Sequence, residues 1–170
     1  MSDLTVKGNQ IIELNTLSGS VIRVIKAENG PWSTTTGILA ADGNHMWITG
    51  DGFGQLVNLD ILNGSVIRVI KHKVPVVGYV TAMIVDGSNL WITNEENTGS
   101  VTELNANTGS VIRAMKDTYY KLTKAQLGHS HGGAAFTAVA TTRSRVWVVN
   151  QFGSVMEWNS SNGSFIRNIK

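Results

Sequence analysis

The sequence predicts an all-β fold of four-stranded antiparallel blades, and the first observation behind it is a segment written four times. It reads QIIELNTLSGSVIRVIK at 10–26, QLVNLDILNGSVIRVIK at 55–71, GSVTELNANTGSVIRAMK at 99–116 and SVMEWNSSNGSFIRNIK at 154–170. In each copy two runs rich in β-branched residues flank a polar turn that ends in Gly-Ser, which is typical of a β-hairpin. The turn glycines are therefore expected at positive φ, a conformation that is costly for any residue with a Cβ; they are Gly19, Gly64, Gly109 and Gly163.

A second repeat accompanies the first and supplies two more strands per unit. It reads LAADGNHMWITG at 39–50, MIVDGSNLWITN at 83–94 and VATTRSRVWVVN at 139–150, and each copy contains a short turn. One unit is thus four strands, and its copies begin at residues 10, 55, 100 and 154. Four strands in about 45 residues are typical of a β-propeller blade, whose strands run from an inner strand a to an outer strand d.

The repeats predict a single domain at 1–170 with four blades, at about 1–26, 31–71, 75–116 and 133–170. The first blade is incomplete because nothing before strand b supplies its strand a. Between the last two blades, the insertion 117–132 is predicted to form a short helix that begins at Asp117 and ends at Gly128. Since no segment after the last strand d could complete the first blade, we expect a homodimer that closes a ring of about eight blades. A monomeric four-blade ring and an excerpt of a longer array are the alternatives.

The repeat also predicts the core and the positions of the charges. Trp47, Trp91 and Trp147 recur on strand b and are expected to pack between blades. Eight of the 14 basic residues recur at two positions of strand d, where they are expected to protect an exposed edge. Counting from the turn predicts cross-strand Glu–Arg pairs, except where Asn58 faces Arg68; the pairs are Glu13–Arg23, Glu103–Arg113 and Glu157–Arg167. The net charge of +2 is thereby explained without a nucleic-acid partner.

Composition excludes several classes of protein. The absence of cysteine rules out disulfides, thiolate metal sites and cysteine nucleophiles. No run of eighteen apolar residues and no apolar leader after Met1 is present, so neither a membrane partner nor a signal peptide is expected, which favours a cytoplasmic location.

The candidate binding site is the channel mouth, where loops from d to a and from b to c meet. A binding or scaffold module would there recognise a small molecule, a glycan or a protein through aromatic rings beside polar groups. The predicted ligand-binding residues are Trp32, His72, Tyr79, Tyr119, Tyr120, His129 and His131.

An enzyme of the lyase or hydrolase type is the alternative. His129 and His131 share a face if extended, and His72 with Glu95 or Glu96 could complete a divalent-metal or acid–base site with an open position. Two histidines in a loop are more often solvated than ligating, and no standard catalytic motif occurs. We therefore expect no metal and no cofactor, and the sequence leaves catalysis open while leaning against it.

The strand Asp86 to Asn94 together with the hairpin Gly99 to Ser110 resembles bacterial β-propeller repeats of the virginiamycin B lyase-like, NHL and YVTN type. For the lyase itself, the resemblance implies a seven-bladed ring with a magnesium ion and a His and Glu constellation near its channel. No run of this sequence matches that constellation. The resemblance therefore implies a propeller architecture and assigns no catalytic residue.

Overall fold

The computed structural model of the chain describes residues 2–7, 10–26, 37–43, 45–50, 54–71, 79–94, 99–116 and 136–169. Within these ranges the regular structure consists of β-strands. The strands are β1 (Ser2–Lys7), β2 (Gln10–Asn15), β3 (Val21–Lys26), β4 (Leu39–Ala41), β5 (Met46–Thr49), β6 (Gln55–Leu59), β7 (Val66–Lys71), β8 (Val80–Asp86), β9 (Asn89–Asn94), β10 (Ser100–Asn105), β11 (Val111–Lys116), β12 (Phe136–Thr142), β13 (Arg145–Asn150), β14 (Val155–Asn159) and β15 (Phe165–Ile169).

The strands form four antiparallel sheets in which every strand pairs with its neighbour in the chain. The first sheet has three strands, β1-β2-β3, and the second, third and fourth have four each, namely β4 to β7, β8 to β11 and β12 to β15. The predicted all-β fold of four-stranded antiparallel sheets is confirmed. The chain divides into two compact units, 1–72 with the first and second sheets and 73–170 with the third and fourth.

The hairpin that joins the last two strands of each sheet is built identically in all four copies. An Asn or Asp at the end of the last strand but one, or directly after it, accepts hydrogen bonds from the backbone N–H groups two and three residues later, at 2.7–3.3 Å; these residues are Asn15, Asp60, Asn105 and Asn159. Such side-chain bonds stabilise a tight turn. The turn glycines have φ between 67° and 75°, which confirms the predicted conformation.

The register of these hairpins produces the predicted cross-strand pairs. A one-residue shift follows the glutamate, so that Glu13 faces Arg23, Glu103 faces Arg113 and Glu157 faces Arg167. Asn58 lies opposite Arg68, as expected. Since a shift of one residue would turn these side chains to the other face, the turn sets which charges meet.

Alternate residues of each sheet pack against the neighbouring sheet of the same unit. In the unit 1–72, Ile11 of the first sheet packs with Met46, Ile48, Val57 and Leu59 of the second. In the unit 73–170, the buried cluster joins the third sheet to the fourth and consists of Trp91, Val101, Met115, Phe136, Val146, Val148, Met156 and Trp158. Each unit therefore contains one apolar layer between two sheets.

The repeated tryptophans are not equally buried. Trp47 and Trp91 are fully buried, as predicted, and so is Trp158. Trp147 is only half-buried, which corrects the expectation that all three pack between blades. Side chains alternate along a strand, and Val146 and Val148 face the third sheet, so Trp147 points to the opposite face of the fourth.

Several predictions fall outside the described residues, among them the helix of 117–132. Within the described ranges, no helix is long and apolar enough to cross a membrane.

Candidate functional site

Of the predicted channel-mouth residues, the structure describes Tyr79 alone. It precedes β8 and is exposed. The others lie outside the described residues, so their predicted roles are untested; they are Trp32, His72, Glu96, Tyr119, Tyr120, His129 and His131. Within the ranges that the structure describes, no three His, Asp or Glu side chains come together as metal ligands would.

The turn between β13 and β14 is one of the b-to-c loops that the sequence predicts at the channel mouth, and it carries an aromatic residue, Phe152, that sequence reasoning missed. Asn150 is buried at the end of β13, and its side-chain oxygen accepts the backbone N–H groups of Phe152 and Ser154, both at 3.0 Å. This bonding fixes the turn and leaves the ring of Phe152 exposed. The signal in the sequence is an Asn at the end of a predicted strand followed two residues later by an aromatic residue, which favours a tight turn with an exposed ring.

A second Asn at the equivalent position has unused hydrogen-bonding capacity. Asn94 is fully buried at the end of β9, and its side-chain nitrogen donates to the Ser100 hydroxyl at 2.7 Å. Its side-chain oxygen has no hydrogen-bond partner among the described residues. Buried polar atoms are normally paired, so this oxygen marks an unsatisfied polar site at the end of β9 among the described residues.

In the first unit, the sheets are joined by a contact that uses Arg23. Its Nε donates to Glu13, and its two terminal nitrogens donate to the main-chain carbonyl oxygens of Ile61 and Leu62, in the β6–β7 turn. Arg23 is 27% exposed in its side chain, so it acts in the contact between sheets and not as an edge guard. Lys26 and Lys71 are exposed, and edge protection by these lysines stays a prediction.

Gly64 of the β6–β7 turn allows the two sheets to approach closely at this contact. A Cβ built on Gly64 would lie 2.5 Å from Cγ2 of Ile25, far closer than two non-bonded carbons can approach. Ile25 belongs to β3 and packs against the apolar layer of this unit. The turn can therefore rest on the last strand of the preceding sheet only because it carries glycine.

The second unit repeats this arrangement with different side chains. Arg113 Nε lies 2.5 Å from Glu103 Oε2, and a Cβ on Gly163 would meet Arg113 Cδ at 2.9 Å and Met115 Sδ at 3.1 Å. An open groove of about 300 Å³ runs along the contact and is lined in part by Trp158 and Phe165. In both units, therefore, the turn glycine of one sheet packs against the last strand of the preceding sheet, and we call this contact a junction.

Glu103 is the most deeply buried member of these ion pairs, with 2% of its side chain exposed. Burial raises the pKa of this carboxyl above its ordinary value of 4.5, and the charge and hydrogen bond of Arg113 offset part of the rise. Because the folded protein then binds the proton more tightly than the unfolded chain does, Glu103 stabilises the fold most at low pH.

The raised pKa of Glu103 makes stability depend on pH. The free energy of unfolding of the wild-type protein, relative to that of Glu103→Gln, should fall as pH rises above 4.5 through the raised pKa, since glutamine does not titrate. Urea unfolding at a series of pH values measures the difference. A difference that rises with pH would show that the Arg113 charge outweighs burial.

The face of the fourth sheet that points away from the third carries the equivalent Glu–Arg pair, Glu157 and Arg167, with more exposure to solvent. Glu157 is buried and accepts hydrogen bonds from Arg145 Nε at 2.8 Å and Arg167 Nε at 2.5 Å. The guanidinium of Arg167 also lies over the Trp147 ring, 5.8 Å from its centre. Arg167 is nevertheless 59% exposed in its side chain, against 26% for Arg113.

The last strand of every sheet also exposes a pair of adjacent apolar residues. Eight side chains at the start of these strands are 39–58% exposed; they are Val21, Ile22, Val66, Ile67, Val111, Ile112, Phe165 and Ile166. Each strand is at the edge of its sheet in the described structure. Such edges suit contact with another protein.

Comparison with protein-family models and with curated proteins finds no match. Solved structures do match. The WD40 repeats of RRP9 superpose with a TM-score of 0.67 at 17% identity, over 97% of this chain and 46% of that one. The structure of U3-55K gives 0.67 at 17% identity, over 97% and 47%. BamB from Moraxella catarrhalis gives 0.60 at 13% identity, over 98% and 48%.

WD40 repeats build β-propellers, four strands to a blade. The sheets are propeller blades. This chain spans about half the length of the structures it matches, and it forms an incomplete propeller. The likeness extends to the repeat type and not to the particular bacterial family that the hairpins resemble.

Proposed function

We propose that this protein is a β-propeller scaffold that works by binding other protein chains, and that a second copy of itself is one of them. The main support is an uncovered apolar face of the fourth blade, on the side away from the third blade. On this outer face Trp147, Val149 and Val155 are half-buried and Ile169 is exposed. On the third blade, the corresponding face carries Trp91 and is covered by the next blade. An apolar face of this kind is suited to a further blade.

The first blade offers a complementary apolar face. Ile12 pairs with Val24 and Leu14 pairs with Val21, so all four side chains lie on one face, opposite to that of Ile11. The two side chains on β2 are half-buried and the two on β3 are exposed. Since the faces of the first and fourth blades differ, a pair of chains would join the fourth blade of each copy to the first blade of the other, and the pair would form a ring of about eight blades.

Sedimentation equilibrium of the full chain tests this self-association. We expect a mass near twice 18.3 kDa at micromolar concentration. Val149→Glu should shift the mass to that of one chain, because it places a charge on the proposed contact. Ile112→Glu, on the exposed edge of the third blade, is the matched control and should leave the mass unchanged. A wild-type mass of 18.3 kDa at every concentration would refute the proposal.

The binding site for a different ligand is proposed at the channel mouth, where the predicted residues Trp32, Tyr119 and Tyr120 would join Tyr79. The exposed rings of Tyr79 and Phe152 support it, because such rings suit a sugar-like ligand or an apolar protein side chain. His129, His131 and His72 would supply polar contacts.

Replacing residues 118–132 by a loop of the length of 71–77 tests the mouth. We expect the shortened protein to keep the mass and unfolding midpoint of the full chain. It should lose the fluorescence change that a panel of oligosaccharides produces in the full chain. Equal responses in the two proteins would place the ligand elsewhere, and a response in neither would exclude this ligand class.

A further inference from the structure

The two described junctions, one in each unit, share one design, which combines a turn and a strand. In the first unit, the Gly64 turn rests on Ile25, and Arg23 donates to the turn carbonyls. In the second unit, the Gly163 turn rests on Met115 and Arg113. Ile25 and Met115 occupy the fifth position of their strands, and the two arginines occupy the third. Each junction therefore needs a bare glycine turn on one side and an Arg with an apolar residue on the other.

Both halves of a further junction are present and exposed. The glycine half is the β2–β3 turn, where a Cβ on Gly19 would have no described atom within 4 Å, although its φ of 67° matches that of the packed turn glycines. The strand half is β15, where Arg167 and Ile169 occupy the third and fifth positions. Ile169 is 40% exposed, whereas Met115 is buried.

We propose that the Gly19 turn of one copy docks on Arg167 and Ile169 of a second copy, with Arg167 donating to the main-chain carbonyl oxygens of the partner's Thr16 and Leu17. These two positions correspond in the repeat to Ile61 and Leu62, the acceptors of Arg23. The proposal rests on the self-association proposed above and names the contact that produces it.

Arg167 is already oriented for this role. In the existing junction, Arg23 uses Nε for its own glutamate and both terminal nitrogens for the turn. Arg167 likewise uses Nε for Glu157, and its terminal nitrogens have no hydrogen-bond partner among the described residues. The Trp147 ring below holds the guanidinium plane. Lysine could not replace it, because one ammonium group cannot serve the glutamate and two carbonyls in this fork geometry.

The contact uses the main chain of the turn and not its exposed side chain. Leu62 is 83% exposed even though its turn is part of a junction, and Leu17 is 93% exposed. Each copy has one glycine half and one arginine half, so two copies satisfy both pairs in a closed two-fold ring.

Engineered cysteines test the geometry, because the chain has none of its own. Gly19→Cys and Ile169→Cys are made in separate chains, mixed and oxidised, and a covalent dimer should form in the mixture but not with either variant alone. Ser18→Cys replaces Gly19→Cys if that change unfolds the turn. The positive control is one chain carrying both Ile25→Cys and Gly64→Cys, which should close an internal disulfide.

Arg167 variants test the energetics. Arg167→Lys should raise the dissociation constant of the dimer about tenfold or more, since hydrogen bonds from a charged group are lost. Leu17→Ser should leave it unchanged. If the protein is a dimer but the mixed cysteines do not cross-link or Arg167→Lys has no effect, this junction is wrong while the proposed self-association stands. If the wild-type chain is a monomer, both are overturned.

Discussion

Trp91→Ala is expected to lower the free energy of unfolding by about 3–5 kcal/mol, because it removes a large side chain that the surrounding blades cannot replace. Trp91 is 1% exposed and lies in the layer between the third and fourth blades, with Met115, Val148 and Met156 around it. Urea unfolding followed by circular dichroism measures the change as a shift of the midpoint.

Trp147→Ala is the matched control, since the residue occupies the same repeat position and is only half-buried. It should cost less than half as much when measured at concentrations where the chain is a monomer. Equal losses in the two variants would contradict the assignment of Trp91 to a covered face and of Trp147 to an open one.

Gly64→Ala is expected to lower the free energy of unfolding by about 2–5 kcal/mol. A left-handed conformation costs a residue with a Cβ roughly 1–2 kcal/mol, and the added methyl group must also displace Ile25, an overpacking cost of about 1–3 kcal/mol. The φ of Gly64 is 75°, and its Cβ would lie within 2.8 Å of three Ile25 carbons. The unfolding midpoint in urea again provides the measurement.

Gly87→Ala separates the two costs. Gly87 has a φ of 59° and no described atom within 4 Å of an added Cβ, so the variant carries the conformational cost alone, about 1–2 kcal/mol. If Gly64→Ala and Gly87→Ala lose the same stability, the turn of Gly64 does not rest on Ile25.

The hairpins were predictable because their determinants are local. The turn residue Asn15 and the positive-φ Gly19 lie four positions apart, and together with the register shift they bring Glu13 opposite Arg23. Repetition of the same pattern three more times then fixed the sheet type. Structure that is determined by residues within about twenty positions of one another can be predicted without knowing which distant residues pack against it.

The role of the arginines could not be read in this way. The sequence predicts that Arg23 protects an edge, but Arg23 donates hydrogen bonds to the carbonyl oxygens of Ile61 and Leu62, nearly forty residues away. Every residue has a main-chain carbonyl oxygen, so the sequence does not show which of them accepts a hydrogen bond from a distant arginine. The half-exposure of Trp147 has a similar origin, since the local pattern of strand b is the same whether or not another blade covers it.

A crystal structure of the assembled protein is the most direct test of the claim that each chain supplies blades to a ring that a second copy completes. We expect two chains with four blades each, about eight in the ring, and Arg167 of each copy on the Thr16 and Leu17 carbonyls of the other. A ring closed by one chain, or two chains joined by main-chain hydrogen bonds between the edges of their outer strands, would contradict it.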